Sequence, residues 1–477
     1  MKRYFLSRVL YQFSYKLVFV FLLFISCVPG FAQSQPEVKI TGNWSGKLEL
    51  PTVKLEIIFK IVADENGLLT AKMDVPMQNA KDLPVSKTEI KNDSLFLTVA
   101  AIGGSYKGAF ETDKKITGIW QQNGVKLPLV LEKNKPGVKR NRPQTPQPPF
   151  PYIVKEVEYI NPESGLKLAG TLTIPNNAKS CPAVVLISGS GAQDRDETIF
   201  EHKPFLVIAN YLTRNGIAVL RVDDRGVGGS EGDIKNATSN DFATDVLAGV
   251  NFLKNTAGID TTKIGLIGHS EGGLIAPIVA TQSNNIAFII LLAGPGTPGK
   301  QILLDQAELL NRAAGLTDAQ IEQNRKLQTA IFNILLTEKD SVKQVDRLQR
   351  TLSNGMYPML NDEQKKLIDT KVAGINNAWF KFFLAYNPYP TLTKVTCPVL
   401  ALAGEKDLQV PPKTNLEAIK KALAEGGNKN VETKELQNLN HLFQNCKTGA
   451  VAEYAEIEET ISPGVLEIIK AWIWDIE

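Results

Sequence analysis

Gly268-His269-Ser270-Glu271-Gly272 is preceded by an apolar run, Lys263-Ile-Gly-Leu-Ile267, and followed by a helix-like stretch, Gly273-Leu-Ile-Ala-Pro-Ile-Val-Ala280. This order predicts a buried strand, a sharp turn and a helix, with Ser270 at the tip of the turn. Such a turn strains the serine backbone, and a side chain at either flanking glycine would collide with the neighbouring strand or helix. The stretch therefore predicts a nucleophilic serine. A glycine-rich turn with an incidental serine is the alternative, and the rest of the chain argues against it.

A general base for Ser270 has few candidates, because the chain contains only three histidines, His202, His269 and His441. His269 lies within the turn, where its side chain is expected to point away from the serine hydroxyl. The turn resembles that of α/β hydrolases, and this resemblance implies that the acid and the histidine follow the serine in the chain. His441 meets this order and lies in a polar loop, whereas His202 precedes the serine and is expected to help position the chain. His441 is therefore the predicted base.

The carboxylate partner of the histidine is expected after the run Cys397-Pro-Val-Leu-Ala-Leu-Ala403, which is short, apolar and typical of a buried parallel strand. The strand leads into Gly404-Glu405-Lys406-Asp407. A carboxylate here can accept a hydrogen bond from one imidazole nitrogen, so that the other nitrogen takes the serine proton. Asp407 is the predicted orienting carboxylate, and Glu405, two residues closer to the strand, is the alternative.

An oxyanion hole is expected beside the serine. The apolar run Pro182-Ala-Val-Val-Leu-Ile187 ends in Ser188-Gly189-Ser190-Gly191, whose small residues leave backbone N–H groups free to face a substrate carbonyl. We expect one donor from the Ser190 amide and a second from the amide of Glu271, the residue after the nucleophile. A plain Gly-Ser turn is the alternative interpretation of this loop.

These residues together resemble the α/β-hydrolase superfamily, and specifically its bacterial esterase and serine-aminopeptidase-like branch. The resemblance spans about residues 153–477 and includes Val222-Asp223-Asp224-Arg225-Gly226-Val-Gly-Gly-Ser230, which is similar to a loop after the fourth strand of that family. It implies a mostly parallel eight-stranded sheet flanked by helices, with a helical cap inserted at about 300–388. Many relatives carry His-Gly where this chain has Ser188-Gly189.

The pattern of the chain predicts four segments: a signal peptide at 1–32, a β-rich domain at 38–134, a Pro-rich linker at 135–151 and the catalytic domain at 152–477. The signal peptide has a basic start, an apolar run too short for a comfortable membrane span and a small-residue cleavage site. The β-rich segment alternates apolar and polar residues with frequent turns, which predicts a small antiparallel barrel or sandwich. The linker is expected to be stiff and extended.

Charge and cysteine content indicate which classes of binding partner and cofactor are expected. The formal net charge is +3, and removing the four basic residues of 1–32 leaves the chain close to neutral, which does not favour nucleic acid. Three cysteines would remain, Cys181, Cys397 and Cys446, and no spacing resembles a zinc site. No metal or organic cofactor is expected. Membrane attachment is expected only if Cys27 is lipidated.

We therefore expect a periplasmic or secreted serine hydrolase that cleaves carboxylic esters of small to medium acyl groups through an acyl-enzyme on Ser270. A serine aminopeptidase or acylaminoacyl-peptidase-like enzyme acting on short peptides is the alternative, with Glu271 or Asp224 near a terminal amine. A non-catalytic binding protein that uses the β-rich domain is the alternative from another class. The aromatic segment Trp379-Phe-Lys-Phe-Phe-Leu-Ala-Tyr386 either lines an acyl pocket or packs on the sheet domain.

Overall fold

The structure is a computed structural model that describes residues 40–49, 54–75, 80–122, 125–133 and 141–476. The predicted signal peptide, including Cys27, lies outside the described residues. None of the described helices is both long and apolar enough to cross a membrane.

The first part of the chain forms one nine-stranded antiparallel sheet. Its strands are β1 (Gly42–Glu49), β2 (Lys54–Ala63), β3 (Leu69–Val75), β4 (Ala80–Val85), β5 (Lys87–Lys91), β6 (Ser94–Val99), β7 (Gly104–Thr112), β8 (Lys115–Gln122) and β9 (Val125–Lys133). The order is β4-β3-β2-β1-β9-β8-β7-β6-β5, so the two edge strands are consecutive in the chain. The sheet must curl to bring those edges together, and it is a nearly closed barrel rather than a two-sheet sandwich.

Aromatic side chains fill the interior of this barrel. Trp44, Phe59, Tyr106 and Trp120 are almost completely buried, and the ring of Phe59 lies 6.2 Å from the rings of both Tyr106 and Trp120. The Trp44 indole donates to the Ile40 carbonyl over 2.7 Å, so its polar atom is satisfied. The tryptophans therefore belong to the barrel core.

The second part of the chain forms an eight-stranded sheet. Its strands are β10 (Ile153–Ile160), β11 (Lys167–Ile174), β12 (Cys181–Ile187), β13 (Ala218–Val222), β14 (Ile259–His269), β15 (Phe288–Leu292), β16 (Val399–Gly404) and β17 (Val431–Leu436). The order is β10-β11-β13-β12-β14-β15-β16-β17. The first two strands pair antiparallel with their neighbours, and all the later pairs are parallel. This is the sheet that the sequence predicted.

Helices cover both faces of the second sheet. In chain order the helices are α1 (Pro204–Arg214), α2 (Ser239–Lys254), α3 (Gly272–Gln282), α4 (Gly299–Ala313), α5 (Asp318–Thr337), α6 (Ser341–Leu352), α7 (Asp362–Ile375), α8 (Ala378–Ala385), α9 (Tyr389–Leu392), α10 (Pro412–Glu425), α11 (Val451–Tyr454) and α12 (Pro463–Asp475). Helices α2, α3 and α10 pack on one face, and α1 and α12 on the other. The central strands are buried on both sides, which explains their continuous apolar sequences.

Helices α4 to α9 form the insertion between β15 and β16 where the cap was expected. The insertion has its own small apolar core, which includes Phe332, Leu335, Leu348 and Leu384. Capping boxes begin two of its helices: Thr317 pairs with Gln320 at α5, and an Asn–Gln pair begins α7.

The described end of the predicted linker lies against the catalytic domain. The Arg142 guanidinium donates to the carbonyls of Phe200, Ala455 and Ile457. The Gln144 side chain accepts from the Ile461 amide and donates to the Ile461 carbonyl. Arg142 and Gln144 therefore hold this end of the linker against the catalytic domain.

Candidate active site

Ser270 stands at the carboxyl end of β14 in a strained turn. Its φ is 52°, in the left-handed region that costs a non-glycine residue on the order of 1–3 kcal/mol. A Cβ added at Gly268 would lie 2.0 Å from the Gly272 carbonyl oxygen, and one added at Gly272 would lie 2.1 Å from the Ile187 carbonyl oxygen. Both glycines are thus required by close backbone approach. The half-buried Ser270 is held by its amide, which donates to the Leu292 carbonyl over 2.8 Å.

Asp407 and His441 form a buried pair beside the strand ends. The Nδ1 atom of His441 lies 2.7 Å from Oδ2 of Asp407, and both side chains are almost fully buried. The second oxygen of Asp407 accepts from the amides of Gln409 and Val410. These bonds fix the carboxylate, which in turn fixes the ring of His441 so that Nε2 is free to accept a proton.

Two contacts place the loop of His441 next to Ser270. Nε2 of His269, the residue before the serine, donates to the His441 carbonyl over 3.0 Å, and the two imidazole centres lie 4.9 Å apart. Among the hydrogen bonds of the described residues there is none between Ser270 Oγ and His441. Such bonds are often long in an enzyme without substrate and shorten in the reacting complex.

Glu405, the alternative carboxylate, has a different role. Its Oε2 atom accepts from the Asn438 amide over 2.8 Å and so holds the loop that follows β17. The structure therefore pairs Asp407, and not Glu405, with His441.

The loop after β12 passes directly over the nucleophile. A Cβ at Gly189 would lie 3.3 Å from Cβ of Ser270. The Gly189 amide is occupied, because it donates to Oε1 of Glu197 over 2.7 Å. Within the described part of the chain, the amides of Ser190 and Glu271 donate to no protein acceptor. Both predicted oxyanion donors are thus available to a ligand.

Asp224 holds this loop through two hydrogen bonds. Its two oxygens accept from the Ser188 hydroxyl over 2.8 Å and from the Gln193 amide over 2.9 Å. Burial, together with the negative charges of Glu271 and Glu197, raises the pKa of Asp224 to about 7. Each oxygen of Asp224 thus accepts a hydrogen bond from the loop, and Asp224 supports the loop. The Ser188 side chain thus ties the loop to Asp224.

The Glu271 carboxylate connects the nucleophile turn to the cap. Its Oε1 atom accepts from the Ser239 hydroxyl over 2.6 Å and from Nε1 of Trp379, in α8, over 2.8 Å. Burial raises the pKa of Glu271, and the two hydrogen bonds oppose that rise. The residue whose amide is a predicted oxyanion donor therefore also holds an aromatic ring of the cap.

A cavity of about 480 Å³ opens beside the predicted oxyanion hole. Its lining comprises Ser190, Gly191, Ile234, Lys235, Phe242, Ala373, Asn377 and Trp379. Trp379 belongs to the aromatic segment for which two roles were predicted. The packing on the sheet domain is present, because Phe383 of α8 is buried in the core against the sheet, and Trp379 lines the cavity.

The two other histidines are also buried. His202 is fully buried just before α1, with Nδ1 2.9 Å from the Thr460 hydroxyl and Nε2 3.0 Å from the Tyr454 carbonyl. His269 lies beneath the oxyanion loop, with Nδ1 2.9 Å from Oε1 of Glu197. Sequence reasoning did not find Glu197. The charged run Asp194-Arg195-Asp196-Glu197 directly after the Gly-Ser loop was the available signal.

The three cysteines of the described residues, Cys181, Cys397 and Cys446, are free. In the same residues no group of three histidine, cysteine, aspartate or glutamate side chains is arranged to hold a metal ion.

Comparison with known proteins places these residues in a family. Residues 202–445, just over half of the chain, match the family described as serine aminopeptidase, S33. The chain belongs to this hydrolase family. The matched region contains Ser270, Asp407 and His441, and it confirms the resemblance to α/β hydrolases that the sequence predicted.

Similar proteins include esterases. The chain is 28% identical over 293 residues to esterase EstD of Thermotoga maritima; the match covers 60% of this chain and 62% of EstD, less than two thirds of its length. It is 25% identical to a 31.7 kDa protein from the traX-finO intergenic region of Escherichia coli, covering 48% of this chain and 73% of that protein.

Two of the similar solved structures are also esterases. The Pyrococcus furiosus esterase PF2001 has 18% identity and a TM-score of 0.42, over 71% of this chain and 96% of that one. Est1E from Butyrivibrio proteoclasticus, with ferulic acid bound, has 20% identity and a TM-score of 0.40, over 67% of this chain and 98% of that one.

Proposed function

We propose that this S33-family hydrolase is a serine carboxylesterase that cleaves esters of small to medium acyl groups through an acyl-enzyme on Ser270. The observation that carries the proposal is the arrangement at the strand ends: a strained Ser270, the Asp407–His441 pair beside it, and two unoccupied amides above it. Each part has a defined task in acyl transfer.

The reaction would proceed in two halves. His441 Nε2 takes the proton of Ser270 Oγ as the oxygen attacks the ester carbonyl, and the amides of Ser190 and Glu271 bind the resulting oxyanion. The C–O bond to the alcohol breaks, and His441 returns the proton to the departing alcohol. Water then attacks the acyl-enzyme with His441 again taking the proton, which releases the acid and regenerates Ser270.

The cavity beside Ser190 is consistent in size and lining with an apolar acyl group of limited size. Its volume of about 480 Å³ is within the range of small-molecule sites. Phe242, Trp379 and Ala373 supply apolar walls, whereas Lys235 and Asn377 are polar. The similarity to esterase EstD also favours an ester.

A serine aminopeptidase is the second candidate, and the family description favours it. Such an enzyme needs an acidic group free to bind a terminal amine. Of the two acids that the sequence suggested for this role, Asp224 is engaged by Ser188 and Gln193, whereas Glu271 is engaged through Oε1 only, by Ser239 and Trp379. Oε2 of Glu271 is therefore the atom that a terminal amine would use in a peptidase, and the similarity to esterase EstD makes the ester the first candidate.

The two candidates are separated by their substrates. We expect the purified protein to turn over p-nitrophenyl acetate and butyrate with a higher kcat/KM than alanine, leucine or proline p-nitroanilide, because Phe242, Ala373 and Trp379 give the cavity beside Ser190 apolar walls that suit an acyl chain. A fluorophosphonate probe added beforehand should block both activities. Faster cleavage of the anilides would instead establish the aminopeptidase.

Trp379 is expected to limit the length of the acyl group. Replacing it with alanine removes a wall of the cavity, so the kcat/KM for p-nitrophenyl octanoate relative to butyrate should rise about tenfold, a usual scale for hydrophobic pocket discrimination. Trp379→Phe keeps the wall but loses the hydrogen bond to Glu271. It should therefore retain the preference for butyrate.

Phe382→Ala is the matched control for this experiment. Phe382 lies in the same helix and stacks on Tyr386 at 5.4 Å, and it is not part of the cavity lining. Its removal should leave the ratio of octanoate to butyrate turnover unchanged. An equal change in both alanine variants would show that the cap as a whole, and not Trp379, sets acyl length.

We further propose that the enzyme is exported to the periplasm or secreted, and attached to a membrane only if Cys27 is lipidated. The support is the sequence of residues 1–32 alone. N-terminal sequencing of the protein from its native host tests this, and a mature chain that still begins at Met1 would contradict it.

A further inference from the structure

The ring of His269 has a hydrogen-bond acceptor at each nitrogen. Nδ1 lies 2.9 Å from Oε1 of Glu197, and Nε2 lies 3.0 Å from the backbone carbonyl oxygen of His441. A carbonyl oxygen accepts only, and an ionised carboxylate also accepts only. A neutral imidazole carries one N–H, whereas the imidazolium carries two. With Glu197 ionised, both hydrogen bonds exist together only when His269 is positively charged.

The surroundings of His269 favour an ion pair between its imidazolium and the Glu197 carboxylate. Glu197 is only 5% exposed, and its Oε1 atom also accepts from the Gly189 amide. Much of the remaining wall is apolar and includes Phe205, Leu292 and Phe443. A buried carboxylate in such a pocket needs a cationic partner. The imidazolium of His269 supplies it.

The acidic groups around His269 also favour its charged form. Burial opposes the charged ring, but Glu197, the hydrogen bond to the His441 carbonyl and the more distant Asp407 together raise the pKa of His269 above its ordinary value. The His441 ring, 4.9 Å away, is the other titratable group against it. The direction of the shift agrees with the hydrogen-bond geometry.

The pair joins three separate parts of the candidate active site. Glu197 holds the Gly189 amide, which immediately precedes the predicted oxyanion donor Ser190. His269 immediately precedes the nucleophile, and its Nε2 atom holds the loop that carries His441. Glu197 itself has a φ of 52°, a strained conformation that the surrounding contacts maintain.

We propose that Glu197 and His269 are positioning residues: a buried carboxylate–imidazolium pair that sets the Ser190 amide and His441 in place around Ser270. This role in positioning rests on the proposed esterase function, whereas the charge on His269 does not. The pair makes no contact with the reacting atoms, and its contribution is geometric: small displacements of catalytic groups cost large factors in rate.

The charge is measurable directly, because the chain has only three histidines. The protein is labelled with ¹⁵N-histidine, purified through a tag without histidine, and studied by long-range ¹H–¹⁵N NMR from pH 6 to 9. We expect one imidazole to keep both ring N–H groups through pH 8, and we expect its signals to change in Glu197→Gln. A neutral, singly protonated His269 at pH 8 would overturn the proposal.

His202 is an internal reference for this spectrum. It is buried like His269, but its Nδ1 atom faces the Thr460 hydroxyl, which can donate or accept, and its Nε2 atom faces both the Tyr454 carbonyl and the donating amide of Gln444, so one ring proton suffices. We expect the His202 ring to remain singly protonated at pH 8. Signals are assigned with His202→Gln and His269→Gln.

Kinetics test the positioning role. In Glu197→Gln and His269→Gln, kcat for p-nitrophenyl butyrate should fall by about 10², the usual effect of losing one oxyanion donor, while KM changes little. His202→Gln should keep a near wild-type kcat even if its melting temperature falls. Should His269→Gln fail to fold, Glu197→Gln decides, and an unchanged kcat in that folded variant would overturn the proposal. A wild type with the charged His269 but no esterase activity would refute only the function.

Discussion

Replacing Ser270 with alanine is expected to abolish fluorophosphonate labelling and to lower kcat for p-nitrophenyl butyrate by about 10⁶, as loss of the nucleophile does in other serine hydrolases. The physical reason is that no other hydroxyl occupies the tip of the turn at φ 52° beneath the unoccupied amides of Ser190 and Glu271. The measurement is probe labelling and ester turnover in the same samples.

Ser283→Ala is the control for this variant. Ser283 lies in the turn after α3, where its hydroxyl accepts from the Asn285 amide at the surface. Its loss should leave labelling and turnover unchanged. Labelling that persists in Ser270→Ala, in a protein with a wild-type melting temperature, would mean that another residue is the nucleophile, and the proposed acyl-enzyme on Ser270 would be wrong.

Replacing Asp407 with asparagine is expected to lower kcat by about 10⁴ while the protein remains folded. The oxygen of the new amide can still accept from the amides of Gln409 and Val410, so its NH₂ group must face Nδ1 of His441. That NH₂ group donates, which moves the imidazole proton to Nε2. His441 can then no longer accept the proton of Ser270.

Glu405→Gln is the matched control, because it changes the other carboxylate of the same loop. Glu405 accepts from the Asn438 amide and not from His441. A glutamine can still accept through its carbonyl oxygen, so kcat should stay within about twofold of wild type, as expected for a residue away from the chemistry. A larger loss in Glu405→Gln than in Asp407→Asn would reverse the assignment of the orienting carboxylate.

The amino-acid sequence by itself determined the parallel sheet and the turn that carries Ser270. Short apolar runs such as Val399–Gly404 favour strands buried on both faces, because a strand covered by helices on each side has no polar face. Gly268 and Gly272 mark the turn because the backbone approaches so closely that no side chain fits. The order of serine, acid and histidine then selected His441 from three histidines. All of these are local properties of the chain or a matter of chain order.

Only the tertiary structure decided which groups meet at the strand ends. It distinguished Asp407 from Glu405, which are two residues apart in a loop whose sequence permits either. It also joined His269 to Glu197, 72 residues away, and to the His441 carbonyl, 172 residues away. A hydrogen bond requires that two atoms, here from distant segments, be placed to within a few tenths of an ångström. Periodicity and turn chemistry describe neighbours in the chain, so they contain no record of where two loops come together.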